Sequence, residues 1–193
     1  MSATSPGRLI VFSGPSGAGK TTVLREVLAR CPWIHASVSA TTRPPRPGET
    51  DGVDYHFLTP GEFARRRETG DFLESFEVFG RGHWYGTPQS EVAPRLGEGK
   101  SVLLEIDVEG MIAVTKHYPQ AVTIFVRPES LEELERRLRA RGTETEADIQ
   151  SRLAAARYEL QNSDRYQHVV INATVDTAVA DICRILNQLE KNR

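Results

Sequence analysis

Apolar residues fall along the chain in two rhythms. Short runs at Leu9-Ile10-Val11-Phe12, His35 to Val38, Ser101 to Ile106, Ala121 to Val126 and Val169 to Ile171 have the length of buried strands. Elsewhere apolar residues recur every three or four positions. Val23, Leu24, Val27 and Leu28 do so until Cys31-Pro32. Leu131, Leu134 and Leu138 do so within Leu131 to Ala140, and Val179, Ile182, Ile185, Leu186 and Leu189 within Val175 to Leu189. Such spacing lines one face of a helix. Alternation of the two rhythms predicts an α/β fold, a parallel sheet core flanked by helices.

One interval breaks the pattern. Residues 39–92 hold Pro44-Pro45, Pro47-Gly48, Asp51-Gly52, Pro60-Gly61 and Arg81-Gly82, with most of the aromatic residues between them. Closely spaced turn signals among short aromatic runs predict a small mixed or antiparallel sheet, inserted into a core formed by 1–38 and 93–193. The run Arg141-Gly142-Thr143-Glu144-Thr145 interrupts two helical patterns, and Thr145 with Asp148 resembles a capping box. A small helical lid is expected at about 139–157, and the chain reads as a single domain, 1–193.

Composition narrows the classes. The 193 residues carry 24 basic and 26 acidic side chains, a balance that argues against nonspecific nucleic-acid binding. No apolar run approaches the roughly 20 residues that span a bilayer, and residues 1–7 do not read as a signal peptide. Cys31 and Cys183 lie far apart in sequence without metal-ligand spacing, so neither a disulfide framework nor a zinc site is indicated. The expectation is a reduced, soluble, cytoplasmic protein with no membrane or nucleic-acid partner. Oligomeric state leaves no signature.

The strongest local signal is Gly14-Pro15-Ser16-Gly17-Ala18-Gly19-Lys20-Thr21, a full match to G-x-x-x-x-G-K-[ST], followed by Thr22. It follows a predicted strand and opens a predicted helix, the context a phosphate-binding loop needs. Its glycines let main-chain N–H groups turn inward around a phosphate, and the helix N-terminus adds partial positive charge. Lys20 can reach the transferring phosphoryl group, and the Thr21 hydroxyl can sit on Mg²⁺ carried with ATP. The motif alone leaves motors, GTPases, transporters and kinases open.

A second constellation follows: Ser37-Val38-Ser39-Ala40-Thr41-Thr42-Arg43-Pro44-Pro45-Arg46-Pro47-Gly48-Glu49, then Asp51-Gly52-Val53-Asp54-Tyr55-His56-Phe57, Phe72-Leu73-Glu74, Tyr85-Gly86-Thr87 and Ile106-Asp107-Val108-Glu109-Gly110. Two arginines three apart, stiffened by prolines, suit an anion clamp. Together with the phosphate loop and the run Arg141 to Glu146, this order resembles the guanylate kinases, nucleoside monophosphate kinases of the P-loop NTPase group. The resemblance covers nearly the whole chain. It implies transfer of the γ-phosphoryl group of ATP to GMP, with dGMP as a further acceptor. Carried over by position, Arg43, Arg46, Tyr55 and Tyr85 would hold the GMP phosphate, and Ser39, Glu74, Thr87 and Asp107 would surround the guanine. Arg137, Arg141 and Arg152 would act on the ATP phosphates, so that Lys20, Arg43, Arg137, Arg141 and Arg152 form the catalytic set. Glu105, two residues before Asp107 on a predicted strand and facing the same way, is a candidate for the outer shell of Mg²⁺.

Chemistry supports the guanine assignments. Guanine presents N1–H and an exocyclic NH₂ as adjacent donors that one ionised carboxylate can accept together, whereas adenine would leave that carboxylate unpaired. Hydroxyls of Ser39 and Thr87 can donate to O6. Each residue also has a plainer reading: Tyr55 and Tyr85 as core aromatics, Glu74 as a surface acid, Arg136, Arg139 and Arg65-Arg66-Arg67 as solvated helix faces. Two other functions stay open, a kinase of related fold acting on a ribose phosphate and a non-catalytic binding module. Asn172-Ala173-Thr174 lacks the acidic residue that commonly follows this asparagine in the family, which leaves adenine contacts there undefined.

Overall fold

The apolar runs do become strands, in a computed structural model that describes residues 7–77, 82–140 and 145–191. The elements are β1 (Leu9–Ser13), α1 (Lys20–Arg30), β2 (Ile34–Ala36), β3 (Ala40–Thr41), β4 (His56–Phe57), α2 (Pro60–Glu68), β5 (Phe72–Glu77), β6 (Trp84–Pro88) and α3 (Gln89–Gly97). They continue with β7 (Ser101–Glu105), α4 (Val108–His117), β8 (Val122–Arg127), α5 (Leu131–Arg139), α6 (Glu146–Gln161), β9 (His168–Ile171) and α7 (Val175–Lys191). Five strands make a core sheet in the order β2-β7-β1-β8-β9, parallel and flanked by helices. β1 is buried throughout, and β7 and β8 are buried except at their last residues, Glu105 and Arg127. Strands covered on both faces read as nearly continuous apolar runs, not alternating ones, and the few polar residues here, Ser13, Ser101 and Thr123, are buried with them. β8 and β9 run parallel, pairing Ile124 with His168 through Arg127 with Ile171.

The second sheet has the order β4-β3-β6-β5. It is mixed: β3 pairs with β4 in parallel and with β6 antiparallel, and β5 pairs antiparallel with β6. Its aromatic residues pack on α2, where Phe63 stacks on Phe72 at a centroid distance of 4.5 Å. Arg67, read from sequence as solvated, lies with its guanidinium 4.2 Å from the centre of the Trp84 ring, and Arg66 pairs with Glu62. Arg67 is exposed, as expected, and its contact with the indole is invisible in sequence until a neighbouring strand brings the ring to the helix.

Contacts gather in two compact units, residues 1–10, 35–105 and 109–121 in one, and 11–34, 106–108 and 122–193 in the other. The mixed sheet belongs to the first. In the second, α5 and α6 pack through Leu134, Leu138, Ile149, Leu153 and Ala156. Both helices begin on side-chain caps, Ser130 accepting from the Glu133 N–H and Thr145 from the Asp148 N–H. Residues 141–144, within the expected lid and including Arg141, lie outside the described residues.

Candidate active site

The loop between β1 and α1 is shaped by close approach. Gly14 has φ +151°, and a Cβ there would sit 2.0 Å from the Val126 carbonyl oxygen. Gly19, with φ +85°, would place a Cβ 2.6 Å from the Asn172 side-chain nitrogen, which itself donates to the Ala18 carbonyl at 2.7 Å. Gly14→Ala is therefore expected to destabilise the chain by at least about 2 kcal/mol, read as a fall in the urea midpoint with unchanged slope. An unaltered midpoint would show that β8 yields at no cost.

Gly19 is the N-cap of α1 and offers no side-chain cap, and the first turn holds no acidic residue. The N–H groups of that turn and the positive end of the helix thus have no anion of their own nearby in sequence. Lys20 begins the helix and folds back, its Nζ donating to the carbonyls of Gly14 at 2.6 Å and Pro15 at 3.2 Å. Thr21 and Thr22 stand exposed on the first turn.

Helices α5 and α6 bring arginines to the same unit. Arg137 donates to Glu133 Oε1 at 2.7 Å and to the Asn172 carbonyl at 3.2 Å. Arg136 shares Glu133, whose carboxyl the two guanidiniums hold down to about 2. Arg136 and Arg139 are surface ion-pair residues, as expected. Arg152 donates to the Ser16 hydroxyl at 3.2 Å.

One residue here escaped the sequence reading. Glu159, seven positions after Arg152 on α6, is 8% exposed, accepts from the Ser16 N–H, and buries its Oε2 without a hydrogen-bond partner. Burial pushes its carboxyl up to about 7; Lys20 opposes the rise and Asp107 adds to it. The i, i+4, i+7 series Arg152, Ala156, Glu159 was the available signal, one helical stripe facing the loop. A carboxyl raised in the folded state keeps its proton longer than in the unfolded chain. Its burden is absent below the ordinary value near 4.3, grows as pH rises, and is complete above 7, at about 3 kcal/mol. Glu159→Gln should accordingly gain stability over the parent at pH 8 but not at pH 4, in denaturant titrations at each pH. Parallel pH profiles for the two proteins would contradict this.

The residues expected on the acceptor side, apart from Asp107, lie in the other unit. Arg43 forms a two-pronged pair with Glu49, 3.0 and 2.8 Å, and its Nε donates to the Tyr85 hydroxyl at 3.2 Å. The bonds to Glu49 raise the Arg43 pKa, and the same bonds, with the Arg46 backbone N–H, lower that of Glu49. Glu49 stood in the motif without a role; the structure makes it the group that fixes Arg43. Tyr55 meets Tyr85 edge-on at 5.9 Å and lies 5.4 Å from the Arg43 guanidinium carbon. Burial, then the charge of Glu105, raises the Tyr55 phenol. Arg46 is exposed, with its backbone N–H on Glu49.

Glu74, on β5, is buried at 9% exposure, and the Thr87 hydroxyl of β6 donates to its Oε1 at 2.6 Å. Glu74 is not a surface acid. Thr87 has one hydroxyl proton, and it goes to the carboxylate. Ser39 is half-buried just before β3. Asp107 falls outside the mixed sheet's unit, and the expected strand stops at Glu105, so the two-residue spacing does not set Glu105 and Asp107 on a common strand face. The backbone turns there because α4 starts at Val108.

The guanylate kinase family model matches residues 6–189. The chain belongs to the guanylate kinase family. It is 55% identical over 184 residues to a guanylate kinase of Rhodopirellula baltica, covering 94% of this chain and 88% of that protein. It is 47% identical to one of Thermotoga maritima, covering 93% and 86%. The crystal structure of guanylate kinase from Anaplasma phagocytophilum superposes with a TM-score of 0.79 at 33% identity, covering 96% of this chain and 87% of that one. A guanylate kinase is a phosphotransferase between ATP and GMP, and that is the activity of this chain.

Proposed function

We propose that this guanylate kinase carries out ATP:GMP phosphotransfer with Lys20 and the loop Gly14 to Thr22 on the ATP phosphates, Arg43, Arg46, Tyr55 and Tyr85 on the GMP phosphate, and Glu74 on the guanine. The observation that carries the choice of acceptor is the buried Glu74 carboxylate steadied by Thr87. A carboxylate only accepts hydrogen bonds, and the N1–H and NH₂ edge of guanine offers two donors side by side. Thr87 is a positioning residue in this reading, Ser39 the donor to O6, and Asp107 an added polar group for the acceptor. dGMP, with the same base edge, is a second acceptor.

The attacking group is a phosphate oxygen of GMP, already anionic near neutral pH. No side chain has to remove a proton, and the work is positioning and charge neutralisation. Lys20 neutralises the transferred group. Arg137 and Arg152, now held by Glu133 and Ser16, lie in the loop's own unit and could turn onto donor phosphates, and Arg141 belongs with them by sequence. Thr21 suits Mg²⁺: it is an exposed hydroxyl oxygen next to the phosphate lysine, and the described residues hold no cluster of three His, Cys, Asp or Glu that would bind a metal without nucleotide. Bound with ATP, Mg²⁺ would supply charge neutralisation at the phosphates. Glu105, whose charge reaches Tyr55, is assigned to the outer shell only through its acidic side chain.

Among the described residues no helix is long and apolar enough to cross a membrane, and substrates drawn from the cell's nucleotide pool support a cytoplasmic place of action. The test is a coupled ADP assay across GMP, dGMP, AMP and a ribose phosphate. GMP and dGMP should turn over and the other two should not. Turnover of the ribose phosphate alone would refute the assignment of Glu74.

A further inference from the structure

The chain has two cysteines, and folding brings them together: Cys31 Sγ stands 3.6 Å from Cys183 Sγ across 152 residues of sequence. Cys31 is the C-cap of α1, fully buried, its N–H bonded to the Val27 carbonyl. Cys183 lies on α7 and is partly exposed. The two helices pack on each other within one unit. Both are free thiols, in keeping with the absence of a disulfide framework, yet the return of α7 onto α1 brings them into contact.

We propose that Cys31 and Cys183 form a reversible oxidation site, converted by a hydroperoxide into an intramolecular disulfide between α1 and α7. The first step is at Cys183, the thiol that solvent reaches. Its sulfur attacks the peroxide, the O–O bond breaks, and Cys183 becomes a sulfenic acid with release of an alcohol or water. Cys31 sulfur then attacks that sulfur, the S–O bond breaks, and a second water leaves with the Cys31 proton. Two thiols lose two electrons in total, and the peroxide gains them. Sulfur atoms in contact must close to about 2.05 Å, roughly 1.5 Å of movement.

The roles follow from placement. Burial, then the bond and charge from Cys183, push the Cys31 thiol up to about 12, so Cys31 stays protonated and shielded from oxidants. Once Cys183 is sulfenic, the 3.6 Å contact makes the second step intramolecular. With no third cysteine, the disulfide has no rival partner within the chain.

The experiment treats the full, reduced protein with a small excess of hydrogen peroxide, then reads intact mass, free thiols and peptide maps. The expected result is loss of two hydrogen masses, disappearance of both thiols, a Cys31–Cys183 linked peptide pair, reversal by dithiothreitol, and a higher melting temperature before reversal. Cys31→Ser should instead take oxygen at Cys183, and Cys183→Ser should keep its buried thiol. The proposal is overturned if the parent protein gains oxygen at Cys183 while Cys31 stays a thiol, links into dimers, or retains both thiols.

Discussion

Lys20→Ala is expected to reduce kcat by about a thousandfold or more, with the fold intact. The ammonium group is the one charge placed on the loop itself, and it is held by two main-chain carbonyls, Gly14 and Pro15. Those bonds fix its position before any nucleotide arrives, so little ordering is left to the moment of transfer. The loop is also held by groups that the substitution leaves alone: Asn172 on Ala18, Arg152 and Glu159 on Ser16. Losing two hydrogen bonds to carbonyls costs about 1–3 kcal/mol, a fall of several degrees in melting temperature at most. A coupled ADP assay beside a thermal melt checks both parts. Full turnover by the folded variant would remove Lys20 from the reaction, and a collapsed melt would make it a structural residue.

Glu74→Gln should lower kcat/KM for GMP by about a hundredfold or more and leave the KM for ATP unchanged. Glutamine has nearly the same shape and still accepts the Thr87 proton through its carbonyl oxygen. Its second arm carries hydrogens, which would face the guanine donors instead of accepting from them. The site is buried, so the mismatch has no water to relieve it. The change should be confined to the acceptor, because Glu74 and the phosphate loop lie in different units of the chain. Steady-state kinetics with each nucleotide varied in turn separates the two. An equal loss for ATP would mean that the variant disturbs the fold, not the base contact.

The fold is legible in the sequence where neighbours along the chain decide the outcome. The runs at Leu9, Ser101 and Ala121 are apolar at almost every position because their strands are covered on both faces, and Thr145 with Asp148 forms a helix cap from residues three apart. Helices α2 and α3 were weak in sequence because each fully buries one residue, Phe63 and Val92, too little to set a period. What stayed hidden was long-range pairing. Glu159 looked like any helix-surface acid until α6 lay on the loop, and Arg67 like any helix-end cation until β6 carried Trp84 to it. The phosphate clamp was legible as residue types, but not the hold of Glu49 on Arg43, which depends on how the prolines at 44, 45 and 47 bend the chain.

In the proposed function, the bare N-terminus of α1 would tie the durability of the whole chain to its fuel. The helix starts on Gly19 without a side-chain acceptor, and phosphate oxygens of bound ATP would take that place. Saturating nucleotide then acts as a chaperone-like ligand, raising resistance to unfolding by about 2.7 kcal/mol at a hundred times its dissociation constant. A starved cell, low in ATP, would hold this protein in its most perishable form.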